Sequence, residues 1–125
     1  MHYLIDTNVF LWWLNADKRL KEPILEILKA SDNQIYVSTA SGWEISIKNT
    51  AGKLSLKTTL EDCFKLAGFE ILDINLNHVL NLNKLPTLHK DPFDRIIISQ
   101  AQVENFTLIT SDKKIFKYKI NLVKC

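Results

Sequence analysis

"HYLIDTNVFLWWL", residues 2–14, passes from a strand-length run of β-forming residues through one acid into a helical stretch. The β-like part is "HYLI" (2–5), and helical periodicity takes over near 8–14. The same alternation recurs to the end of the chain. Strand candidates are "QIYVS" (34–38), "FEILD" (69–73), "TLIT" (107–110) and, less marked, "INLV" (120–123). Helical stretches lie near 20–30, 41–51, 58–67, 76–83 and 93–104. Short strands alternating with longer helices predict an α/β fold with a central, mainly parallel sheet covered by helices. Gly52 and Gly68 stand where helices should stop. No repeat, low-complexity tract or Pro/Gly-rich linker interrupts the pattern, so residues 1–125 are expected to form one three-layer α/β/α domain.

Composition narrows the class of protein. With 46% hydrophobic and 24% charged residues, a chain of this length closes an ordinary core without staples. Cys63 and Cys125 are far apart, follow no CxxC spacing and have no neighbouring histidine, which argues against a zinc site or a redox pair and fits a reducing cytosol. The N-terminus lacks the features of a signal peptide, and no apolar run approaches the roughly 18 residues a membrane span needs. A cytoplasmic location and no membrane partner are therefore expected. Net charge is only +2, short of the strongly basic footprint of a dedicated nucleic-acid binder. Lysines do crowd residues 48–57 and 113–119, either as solvated faces or as surfaces that receive a polyanion.

In a parallel sheet, functional groups collect beyond the carboxyl ends of the strands, where strand order reverses. Asp6 immediately follows the first strand, and Ser111 and Asp112 immediately follow the fourth. Glu44, in "SGWEIS", lies in the first turns of the helix after the second strand and can reach the same edge. Each has an ordinary explanation. Asp6 caps helices well, Glu44 could face solvent on an amphipathic helix, and Asp112 fits a "TSDKK" turn. Glu44 nonetheless sits among Trp43, Ile45 and Ile47, where an acid is costly to bury unless it is paired or coordinated.

"HKDPFDRIIISQA", residues 89–101, supplies two further acids. Asp91 reads as an N-cap, Pro92 as the first helical residue and Asp94 as the third, in an arrangement like a capping box. Asp94 also shares a helix face with Ile97, Ile98 and Ala101, so its side chain leans toward the buried side and needs a partner there. A divalent cation, an arginine or backbone donors would each serve. To reach the edge where the other acids stand, this helix start requires a tertiary bend.

The acids mean more together than apart. Four carboxylates at one edge raise each other's pKa, and they persist as anions chiefly when metal ions occupy the cluster. Oxygen ligands without His or Cys point to hard cations such as Mg²⁺ or Mn²⁺. Such a site binds phosphate oxygens and can activate a water for in-line attack on phosphorus.

The order "LIDTN", "SGWEI", "HKDPFDRIIISQA", "LITSDKKI" and a short last strand resembles the PIN-domain family, most closely the VapC-type toxins of bacterial toxin–antitoxin pairs. The resemblance covers nearly the whole chain. It implies a PIN-like three-layer α/β/α sandwich and a Mg²⁺- or Mn²⁺-dependent endoribonuclease held off by a cognate antitoxin, commonly as a homodimer. Carried over by residue, the metal-binding and catalytic acids are Asp6, Glu44, Asp94 and Asp112, with Asp91 left as the cap. Thr7 and Asn8 follow the first acid as in "DTN" relatives, although many close relatives have histidine at the Asn8 position. Thr110 resembles a hydroxyl standing behind the acids. Arg95 is a candidate for the substrate phosphate, equally readable as a solvated residue or a partner of Asp91. Trp12 and Trp13 read as core or partner-facing surface, and His78 and His89, without ligand-like companions, are assigned no role.

No pair of histidines suited to activating a 2′-hydroxyl is evident, so the metal route implies 5′-phosphate and 3′-hydroxyl ends. Rival readings fit less well. A receiver-like signalling module would want adjacent acids after the first strand, and a haloacid-dehalogenase-like hydrolase would want an acid where Asn8 stands. An inactive PIN-like binding module is the remaining alternative, against which four retained acids argue.

Overall fold

The computed structural model describes residues 1–125. Five strands form one sheet in the order β3-β2-β1-β4-β5, with β1 at His2–Ile5, β2 at Gln34–Ser38, β3 at Glu70–Leu72, β4 at Thr107–Thr110 and β5 at Leu122–Lys124. Every pairing is parallel. The α/β/α expectation holds, and the mainly parallel sheet is entirely so. The chain starts at the centre, winds outward through β2 and β3, then returns to the other side of β1. Strand order therefore reverses at β1, with Asp6 at its end.

The helices are α1 (Thr7–Leu14), α2 (Ile24–Lys29), α3 (Thr39–Thr50), α4 (Leu60–Ala67), α5 (Leu76–Asn81) and α6 (Pro92–Glu104). Alternation along the strands divides the core between the two faces. Tyr3, Ile5, Ile35, Val37 and Ile109 pack with residues of α1, α2 and α4, whereas Leu4 and Leu108 pack with Ile96, Ile97, Ile98 and Ala101 of α6. Both faces of the sheet are thus apolar, which is why the strands read as nearly continuous hydrophobic runs. Ile97 and Ile98 are fully buried, and truncating either to alanine should cost about 2–5 kcal/mol.

Boundaries differ from the sequence reading where a local rule yields to a tertiary one. The stretch near 20–30 becomes helix only from Ile24, because Pro23 can precede a helix but cannot continue one. The last strand shifts from 120–123 to Leu122–Lys124, the register in which Leu108, Ile109 and Thr110 pair with Leu122, Val123 and Lys124. Gly68 ends α4 at φ 72°, and Gly52, at φ 74°, follows the last residues of α3, left-handed positions that favour glycine. No helix is long and apolar enough to cross a membrane.

Candidate metal and active site

Four connections between strands deliver side chains to one edge. β1 ends at Ile5, so Asp6 is the first residue past the sheet. Its backbone N–H still donates to Ile109 O at 3.2 Å, and its side chain caps α1 by accepting from the Val9 N–H at 2.9 Å. Capping uses Oδ1. Oδ2 accepts a short hydrogen bond from the Thr110 hydroxyl, which in turn accepts from the Asp112 N–H at 3.1 Å. Thr110, at the end of β4, therefore ties the acid after β1 to the acid after β4.

Glu44 arrives on the second turn of α3, which begins directly after β2. The helix is turned against its apparent amphipathicity: Glu44 is 7% exposed, while Trp43 is 62% and Ile47 46% exposed. The acid is buried at the expense of two apolar neighbours. Its Oε1 accepts from the Thr7 hydroxyl at 2.8 Å, a group also 3.0 Å from Ser41 Oγ, and its Oε2 pairs with Lys48 Nζ at 2.7 Å. The solvent-facing reading of Glu44 does not survive.

Asp94 needs no bend. α6 runs opposite to the strands, so its first turn starts at the carboxyl edge and its end feeds β4. Asp91 is the N-cap, its Oδ1 accepting from the Phe93 N–H at 2.9 Å and the Asp94 N–H at 3.0 Å, with Pro92 opening the helix. The reciprocal half of a capping box is missing. The Asp91 N–H goes instead to His89 Nδ1 at 3.2 Å, which leaves the Asp94 carboxylate free to face the other acids.

A family model for the PIN domain matches residues 3–121. The chain belongs to the PIN-domain family. Comparison with curated proteins finds no match, but solved structures do match. A chain of VapBC2 from Rickettsia felis, crystallised with a DNA fragment from its promoter, is 25% identical with a TM-score of 0.76, covering 99% of this chain and 98% of that one. A toxin–antitoxin complex from Klebsiella pneumoniae gives 23% and 0.67, with 98% and 96% covered. VapBC-5 of Mycobacterium tuberculosis gives 13% and 0.63, with 99% and 98% covered. The last two show likeness of fold alone.

Electrostatics explain why the acids of this PIN domain suit a cation. Burial pushes the Asp6 carboxyl up to about 6, with Asp112 and Glu44 adding to the rise and the bonds from Thr110 and Val9 opposing it. Asp94 is pushed up to about 7, first by burial and then by the charge of Asp91, with Asp6 and Glu44 contributing and His89 opposing. Asp6 and Asp94 thus each sense the charge of neighbouring acids, as groups sharing one small volume must. A hard divalent ion would offset that repulsion, and the carboxylate oxygens are the donors it prefers. By donor chemistry, the carboxylates of Asp6, Glu44, Asp94 and Asp112 would suit Mg²⁺ or Mn²⁺, and the potential ligand atoms that lie within 4.8 Å of one another are those of His89, Asp94 and Asp112.

The remaining residues sort differently. His89 was assigned no role from the sequence, for want of companions, and here the structure corrects the reading. Buried to 6% exposure, it brings Nε2 within 2.8 Å of Asp112 Oδ2 and 2.9 Å of Asp94 Oδ2. Only the first contact has hydrogen-bond geometry; the second is a close approach. Its partners are five and 23 residues away in sequence, a spacing with no motif to signal it. Arg95 donates to the carbonyls of Pro86 at 3.1 Å and Leu82 at 3.4 Å and to Tyr118 Oη at 3.3 Å, and it makes no ion pair with Asp91. Its guanidinium braces the loop before α6. Asn8 is exposed and forms no side-chain hydrogen bond with the acids, while His78 accepts from the Asn75 N–H and meets Glu104 at 2.7 Å, a structural link between α5 and α6.

Proposed function

We propose that this PIN domain is a Mg²⁺- or Mn²⁺-dependent endoribonuclease, the toxin of a toxin–antitoxin pair. The convergence of Asp6, Glu44, Asp94 and Asp112 on one sheet edge carries the reading, above all the burial of Glu44 beside an exposed Trp43. The divalent ion would supply water activation and neutralise phosphate charge. The chain's own groups do the rest. Asp6 and Asp94 would hold the ion, with Thr110 and the Val9 amide fixing the Asp6 carboxylate and α6 aiming Asp94. Glu44, steadied by Thr7, would ligate the ion or orient the attacking water, and Asp112 would complete the set. RNA is the proposed substrate because the acids require a cation to admit a phosphodiester, and lysines such as Lys48 stand beside them. A cognate antitoxin is the proposed partner, on the strength of likeness to chains of VapBC complexes, and a homodimer the proposed assembly.

The experiment is cleavage of total RNA by purified protein with Mg²⁺ or Mn²⁺, with product ends mapped. Products should carry 5′-phosphate and 3′-hydroxyl ends, chelation should stop the reaction, and Asp6→Asn should abolish it with an unchanged circular dichroism spectrum. Cleavage that persists in EDTA, or in Asp6→Asn, removes the proposal. Expression should arrest growth, and co-expression of the cognate antitoxin should relieve it.

A further inference from the structure

His89 lies between two of the proposed ligands without being one of them. Both of its ring nitrogens have defined partners. Nδ1 faces the Asp91 backbone N–H at 3.2 Å, and because an amide N–H can only donate, Nδ1 must present a lone pair. A neutral imidazole then carries its proton on Nε2. That nitrogen faces Asp112 Oδ2 at 2.8 Å, with Asp94 Oδ2 in close approach at 2.9 Å, so it offers its proton to the Asp112 carboxylate and has no lone pair left for a cation.

The ring has little freedom to choose otherwise. The His89 N–H donates to Tyr118 Oη at 3.0 Å, Tyr118 Oη donates to Pro86 O at 2.8 Å, and Arg95 reaches the His89 carbonyl at 3.5 Å. Arg95 and Tyr118 thus fix the backbone that carries the imidazole, while the Asp91 amide fixes its tautomer. A ligating role would require the Nε2 proton to move to the nitrogen that the Asp91 N–H already occupies.

We infer that His89 is a positioning residue: as an Nε2–H donor it holds the Asp112 carboxylate beside that of Asp94, shaping the cation site without ligating the ion. The inference rests on the metal reading proposed above. It joins two acids from different elements, one on the first turn of α6 and one after β4. Without a donor between them these carboxylates repel and part. Groups that orient metal ligands in this way typically change affinity roughly 10–100-fold when removed.

Binding of Mn²⁺ alone, followed by electron paramagnetic resonance, separates the alternatives. Mn²⁺-loaded wild-type protein should show no directly bound nitrogen in its electron spin echo modulation. Nitrogen-15 chemical shifts of the metal-free protein should place the His89 proton on Nε2. His89→Ala should weaken Mn²⁺ binding roughly 10–100-fold, and His89→Gln, whose amide can donate from a similar position, should recover most of the loss. A directly bound nitrogen that disappears in His89→Gln would make His89 a ligand and overturn the inference. Tighter binding by His89→Ala would make the imidazole a plug that the ion displaces, and would overturn the inference equally. Should His89→Ala not fold, the wild-type spectra decide between donor and ligand. Wild-type protein that binds no Mn²⁺ removes the metal reading itself, whereas wild-type binding matched by His89→Ala removes only the role of His89.

Discussion

The backbone N–H of Asp91 donates to His89 Nδ1, the amide that a reciprocal capping box would have sent to the Asp94 side chain. One diverted hydrogen bond separates the tasks of two aspartates three residues apart. Asp91 starts α6 with its side chain, and Asp94, relieved of capping, turns its carboxylate toward Asp6, Glu44 and Asp112.

Asp94→Asn should therefore reduce RNA cleavage at least about a hundredfold, since several kcal/mol of charge stabilisation would depend on the ion it is proposed to hold. Asp91→Asn should retain activity and stability because Asn caps as well as Asp, while Asp91→Ala should lose about 1 kcal/mol. Urea unfolding together with the cleavage assay distinguishes them. Equal loss of activity in Asp91→Asn and Asp94→Asn would contradict the division.

Thr110→Val removes the hydroxyl that donates to Asp6 and accepts from the Asp112 N–H. The Asp6 carboxyl, already raised by burial, should rise further once a bond that lowers it is gone. Mg²⁺ affinity, measured by calorimetry at neutral pH, should fall roughly tenfold. Affinity equal to wild type would show that Thr110 only fills space.

Metal-free stability should depend on pH in an unusual direction. Asp6 and Asp94 carry folded-state values near 6 and 7 against an ordinary 3.8. For an acid whose folded value is raised, the stability contribution is complete below the unfolded value and is lost as pH rises through the folded one. In EDTA, the melting temperature of Asp94→Asn should thus gain on that of wild type between pH 5 and pH 8. Adding Mg²⁺ should reverse the order at pH 8, because only the wild type binds it tightly. A difference between the two proteins that stays constant with pH would contradict the raised value.

Arg95→Ala should lower stability by about 1–3 kcal/mol in urea unfolding, since the Pro86 and Leu82 carbonyls lose a charged donor. A residue that served only the substrate phosphate would leave stability unchanged and raise KM. Stability equal to wild type with weakened RNA binding would restore the phosphate role.

The strand and helix pattern was legible because parallel strands buried on both faces read as short apolar runs, and "HYLI", "QIYVS" and "TLIT" became β1, β2 and β4 at their expected limits. Where the ends moved, as at Pro23 and in β5, proline chemistry and strand register had the deciding voice. The position of Asp6 after β1 and Asp112 after β4 also followed from order along the chain, because parallel strands bring their carboxyl ends to one edge.

Sequence alone thus determined the layers, the edge at which acids gather and the identity of the helix cap. Tertiary structure decided which way the acids turn. Local periodicity allowed Glu44 a place in water, and only the packing of α3 against α1 and α6 buried it and exposed Trp43 and Ile47. His89 shows the limit more sharply: its partners lie on α6 and beyond β4, and its tautomer depends on the Asp91 amide. A hydrogen bond between groups distant along the chain leaves no periodic trace in sequence. It exists only once β4 and α6 have closed around the same edge.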